Sequence, residues 1–153
     1  MSKKTDGKKV SITLKSISAA NGIPDVTELV TSGYLQTVDE NGESGYCVSY
    51  EDSAATGFQG TETKVSCFGE RLARMERVGA GNSDKITELM MESQKKHHCF
   101  YGTEYGDLML GIYTKQIVNR MTDDGGQLYL KYTLDVNSAL LTENEVYMEV
   151  KPV

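Results

Sequence analysis

Apolar residues recur at every second position along most of this chain, the signature of strands with one buried face. In "KVSITLKS", Val10, Ile12 and Leu14 fall on one side, and Ser11, Thr13 and Lys15 on the other. "DVTELVTSGYLQTVDE" reads as one long strand with Gly33 as a bend or bulge. The Asn-Gly pair in "ENGESG" marks a hairpin, after which Tyr46, Val48 and Tyr50 share a face. "TETKVSCF" and "ERLARMERVG" form a hairpin about Gly69. "GDLMLGIYTKQIVNR" and "GQLYLKYTLDV" form another through "TDDGG". Leu108, Leu110 and Ile112 line one side of the first, and Leu128, Leu130, Tyr132, Leu134 and Val136 one side of the second. Val146, Met148 and Val150 alternate in the closing segment.

One stretch breaks the alternation. In "SDKITELMMESQKK", Ile86, Leu89 and Met90 recur at helical spacing and Ser83 can cap the N-terminus. A lone helix would interrupt an otherwise regular series of hairpins, so residues 83–96 are read as strand and turn. About 8–10 short strands without crossover-length connections predict an all-β fold, a single antiparallel up-and-down barrel. Twist and exposed edges favour closure over an open sandwich.

The 153 residues suit one domain, with an N-terminal arm at 1–8 and the barrel at 9–153. Only 39% of residues are hydrophobic and Trp is absent, so the core must rest on aliphatic residues, Met and nine Tyr. The net charge is −6, but Lys3, Lys4, Lys8 and Lys9 against Asp6 give the first nine residues +3, which leaves −9 for the body. So acidic a body repels phosphate backbones and argues against nucleic-acid binding. The basic arm reads as a solvated, poorly ordered terminus. No apolar run approaches the ~20 residues that span a bilayer, and "MSKKTDGKK" lacks the apolar stretch of a secretory signal. Cys47, Cys67 and Cys99, odd in number and without CxxC, fit a reducing cytoplasm. A monomer or weak homodimer is expected.

Candidate chemistry is sparse. In "KKHHCFYGTEYG", His97 shares a strand face with Cys99 while His98 points the other way, too few ligands for a structural zinc site. No GxSxG elbow occurs, and "GAGNSD" lacks the Lys-Ser/Thr ending of a phosphate loop. Cys99, near Lys95 and Lys96, is the cysteine worth testing as a reactive thiol. No catalytic residue, metal or cofactor is expected. Arg77 shares parity with Met75 and Gly79, so it is either an interior polar anchor met by a carboxylate or ligand, or a rim residue. Tyr46, Tyr50, Tyr101 and Tyr132 fall on the inward face, where phenols add area and a hydroxyl in need of a partner. Glu51 reads as an edge or rim carboxylate.

Four segments, "YEDSAATGFQGTETKVSC", "MERVG", "FYGTEYGDLMLGIYT" and "GGQLYLKYTLDV", resemble in order and spacing the YwiB-like bacterial family, domain of unknown function 1934. The most specific pieces are Tyr50-Glu51 followed by Gly57, Arg77-x-Gly79, and Tyr101-x-Thr103-x-Tyr105-Gly106. The likeness runs from about residue 9 to the C-terminus and implies a calycin-like, lipocalin-like β-barrel in the bacterial cytoplasm, with no activity, cofactor or catalytic residue to carry over. The adjacent histidines and "ELMMES" depart from the pattern. The expectation is a non-enzymatic barrel holding a small, partly apolar ligand against Tyr50, Arg77, Tyr101, Thr103 and Tyr132. The alternatives are a solid-core structural or protein-interaction module and, more weakly, an enzyme using Cys99 or His97 at the mouth.

Overall fold

The computed structural model describes residues 7–52, 60–79, 85–103 and 106–153, with side chains omitted at 85–86, 100–103, 106–107 and 140. Ten strands follow one another: β1 (Lys8–Ala20), β2 (Ile23–Glu40), β3 (Glu43–Glu51), β4 (Thr61–Phe68), β5 (Leu72–Gly79), β6 (Lys85–Glu92), β7 (Lys96–Thr103), β8 (Gly106–Asn119), β9 (Gly126–Val136) and β10 (Ala139–Pro152). Each strand pairs antiparallel with its sequence neighbour, except that β1 also pairs with β10, while β6 and β7 form the two ends of the sheet. The result is a nearly closed up-and-down barrel whose single seam lies between β6 and β7. An isolated bridge from Ser93 to Thr114 and the Gln94 N–H donating to the Thr114 carbonyl at 2.8 Å tie the β6–β7 turn to β8. The N-terminal arm falls almost wholly outside the described residues. Its last residue, Lys8, already belongs to β1.

Turn chemistry sets the registers. Asn21-Gly22, Asn41-Gly42 and Asn137-Ser138 all have positive φ at both positions, the type I′ geometry whose twist matches the flanking strands. The β1–β2 ladder runs unbroken from Lys8↔Leu35 to Ala20↔Ile23. Gly33 is therefore no bulge. A Cβ there would stand 2.0 Å from the Ser49 carbonyl oxygen and 2.9 Å from the Ile12 Cδ1, so its missing side chain lets β3 close against β2. Residues 85–92 are strand, as the hairpin argument required, with Leu89 opposite Met75 and Met91 opposite Ala73. Tertiary pairing overrides the local helical spacing.

Because side chains alternate across the sheet, each strand sends one parity inward. Val10, Ile12, Leu35, Val48, Val65, Cys67, Ala73, Met91, Ile112, Ile117, Leu128, Leu130 and Val150 form one continuous buried core. The two ends of the barrel differ. The base receives both chain ends and is closed by the β8–β9 connection, where Met121 is buried. There the Tyr46 hydroxyl donates to Asp123 at 2.8 Å and the Lys8 ammonium to the Asp123 carbonyl at 3.0 Å. The mouth gathers the β1–β2, β3–β4, β5–β6, β7–β8 and β9–β10 connections, including the longest, 52–60.

Candidate functional site

Toward the mouth the core stops filling the barrel. A cavity of about 260 Å³ is walled by Leu14, Leu29, Val65, Met75, Leu128, Leu130, Val146 and Met148, with Ser16, Thr27, Tyr50, Arg77 and Tyr132 as its polar members. Every one of these is an inward-parity residue. The register explains the polar cluster: Tyr50 pairs with Thr63, and Thr63 with Arg77, so three adjacent strands deliver one polar row.

Asp52, one residue past the end of β3, completes that row. Its side chain is fully buried, and its Oδ2 accepts from the Thr61 hydroxyl at 2.7 Å and the Thr63 hydroxyl at 2.8 Å. The Arg77 Nε donates to the same oxygen at 3.5 Å. Its own backbone N–H donates to the Thr61 carbonyl at 2.8 Å, pinning the carboxylate at the strand end. Arg77 thus meets a fully buried carboxylate at the cavity wall. Burial, then the Asp52 charge, push the Tyr50 phenol up, against the opposing pull of the Thr63 hydroxyl and Arg77. Burial alone pushes Tyr132 up to about 12. Both phenols stay protonated at neutral pH and can donate.

Of the five residues expected to line a site, Tyr50, Arg77 and Tyr132 meet on this one cavity. Tyr101 and Thr103 lie in β7 opposite Leu108 and Gly106, and their side chains fall outside the described ones. Glu51 is exposed, as a rim carboxylate should be. Asp52 escaped the sequence reading because it looks like an acidic loop residue. Its signal was parity with Tyr50, combined with the facing threonines of Thr61-x-Thr63.

Two other hollows carry less. A depression of about 420 Å³ on the outer wall is lined by outward residues such as Lys15, Arg120 and the Tyr129–Tyr147 pair, whose rings are 4.7 Å apart. It lies among side chains that face water. At the seam, a space of about 450 Å³ is bordered by Glu88, Met90, Glu92, His97, His98, Cys99 and Ile112. There His97 Nε2 sits 2.9 Å from Glu92, and Lys95 3.2 Å from it. Burial, then the Glu88 charge, push the Cys99 thiol up, the reverse of what a nucleophile needs. Among the described residues, no three His, Cys, Asp or Glu side chains gather as metal ligands.

The model of a family described as "Domain of unknown function (DUF1934)" matches residues 10–148. The chain belongs to this family. The ywiB protein from Bacillus subtilis, known from a crystal structure, shares the fold with a TM-score of 0.73 at 17% identity, over 96% of this chain and 93% of that one. A search of curated proteins returns no match. The family likeness, expected from about residue 9 to the C-terminus, is thereby borne out, and so is the antiparallel β-barrel.

Proposed function

We propose that this barrel binds a small, partly apolar molecule in its mouth-side cavity. The observation that carries the reading is the composition of that cavity: eight apolar walls, and Tyr50, Arg77 and Tyr132 converging on one space. Sites for small molecules are concave and mostly apolar, with a few placed polar groups. The volume lies just below the ~300–1,000 Å³ of sites for drug-sized molecules, so the ligand is smaller than those. An up-and-down barrel with a hollow mouth supports the likeness to calycins, and free thiols at Cys47, Cys67 and Cys99 support a reducing cytoplasm.

The test is direct. Native mass spectrometry of protein purified without denaturant should show retained mass. Methyl resonances of Leu14, Leu130, Val146 and Met148 should shift on adding benzene and stay fixed in Val146→Phe, which fills the space. Unmoved wild-type methyls would mean a solid interior.

A second reading, a weak homodimer or interaction module, draws on the outer wall of β2, where Val26, Val30 and Tyr34 share one face and are exposed, Val30 at 71%. Sedimentation of wild type against Val30→Asp addresses it. A concentration-dependent dimer lost in the variant would support this reading, and a monomer in both would end it.

A further inference from the structure

Among the described residues, the Tyr132 phenol on the cavity wall has no hydrogen-bond partner in the protein. Tyr132 is only 7% exposed and faces the cavity. Burial is the sole influence on its phenol. The residue is buried, yet its hydroxyl opens onto the cavity, where its O–H is free to donate to whatever occupies that space. An acceptor brought in from outside would satisfy it.

The wall's charges, in contrast, are already balanced. Arg77 faces Asp52 at 3.5 Å, and that fully buried carboxylate also accepts from Thr61 and Thr63. A carboxylate ligand would compete with Asp52 for Arg77 and sit beside a buried like charge. An ammonium ligand would meet Arg77, and among the described wall residues no carboxylate stands ready to receive it. Burying either without a counter-charge is costly. The acidic body, −9 beyond the first nine residues, further disfavours approach by anions.

Resting on the cavity reading above, we propose that the ligand is uncharged, carrying one oxygen acceptor (a carbonyl, amide or hydroxyl) for the Tyr132 O–H and an apolar body of about six carbons. The size follows from volume, since an apolar cavity of about 150 Å³ holds benzene and this one, at about 260 Å³, adds room for a polar head. Tyr132 donates, and the leucine, valine and methionine walls take the hydrocarbon.

The experiment compares hexanamide, hexanoate and hexylammonium at neutral pH by calorimetry. Methyl shifts of Leu130 and Val146 locate each probe, and benzene serves as an apolar control. Hexanamide should bind in the cavity about tenfold or more tighter than either ion. Tyr132→Phe should weaken hexanamide by about three- to tenfold, the range of one hydrogen bond, and leave benzene unchanged. Equal or tighter binding of an ion, or undiminished hexanamide binding to Tyr132→Phe, while benzene still enters, overturns the uncharged-ligand proposal alone. Exclusion of benzene as well overturns the cavity reading with it.

Discussion

Arg77→Met is the most informative single change, because it removes the guanidinium while keeping an apolar stem of similar reach. Removing one partner of a fully buried ion pair costs ~3–5 kcal/mol, chiefly through the charge left behind. Here the stranded group would be Asp52, whose side chain is fully buried, while Arg77 is 22% exposed and its Nε stands 3.5 Å from Oδ2. The Thr61 and Thr63 hydroxyls would still hold the carboxylate. The long contact, partial exposure and remaining donors all reduce the loss, to about 2 kcal/mol. For a chain of this size that is a Tm lowered by about 4–8 °C, read by far-UV circular dichroism. A double-mutant cycle with Asp52→Asn isolates the pair and should give a coupling of about 1 kcal/mol or more. A variant within about 0.5 kcal/mol of wild type, the range of ordinary surface substitutions, with no coupling, would make Arg77 a rim residue screened by water.

Other expectations follow from single contacts. Gly33→Ala would force a Cβ to 2.0 Å from the Ser49 carbonyl. The backbone cannot yield cheaply, so urea melts should show a loss of at least about 1–3 kcal/mol. At high pH the buried phenol of Tyr132, with a pKa near 12 against an ordinary 10, and the Cys67 thiol, near 11 against 9, both favour the neutral form in the fold. Their raised values contribute stability that is complete below pH 9, and it fades as pH rises through 11 for Cys67 and through 12 for Tyr132. Stability measured against pH should fall over that window, and less steeply in Tyr132→Phe. Iodoacetamide at neutral pH should modify Cys99 more slowly than a free thiol, since burial and Glu88 hold it protonated, and Cys47 and Cys67 more slowly still. Rapid Cys99 alkylation would revive an enzymatic reading.

Most of the barrel was legible because period-two alternation and Asn-Gly turns are local signals, and each strand found its partner next along the chain. The strand at 85–92 was legible only through its neighbours, since Leu89 and Met90 carry helical spacing and nothing local outvotes it. Parity placed Tyr50, Arg77 and Tyr132 inward, but parity says nothing of height. That Tyr132, from β9, and Arg77, from β5, face one space depends on the tilt of the strands and on the shifts at Thr114/Gln116 and Leu140/Thr142. Gly33 was misread because an isolated strand glycine signals a bulge or a close backbone approach equally well, and only the position of the Ser49 carbonyl separates the two. The seam between β6 and β7 had no local signal at all, because a hairpin that pairs and one that parts look alike in sequence.

The division of the barrel into a filled base and a hollow mouth has a physical origin in its connections. At the base, short turns and the two chain ends bring Met121, Tyr46, Asp123 and Lys8 across the opening, so apolar side chains there have neighbours on every side. At the mouth, β3 ends at Glu51 and β4 begins only at Thr61, while Asp52 caps the gap with its own hydrogen bonds. At that level Tyr50, Arg77 and Tyr132 join the aliphatic walls and leave open volume between them. One inward row nearer the base, the strands of Tyr50 and Arg77 carry the apolar Val48 and Met75. A barrel needing only stability would place aliphatic residues at the positions of Tyr50 and Arg77 too, since replacing a buried ion pair by well-packed hydrophobic residues is often neutral or stabilising. Keeping Asp52, Arg77 and Tyr132 around open volume makes sense where something other than the protein completes the packing.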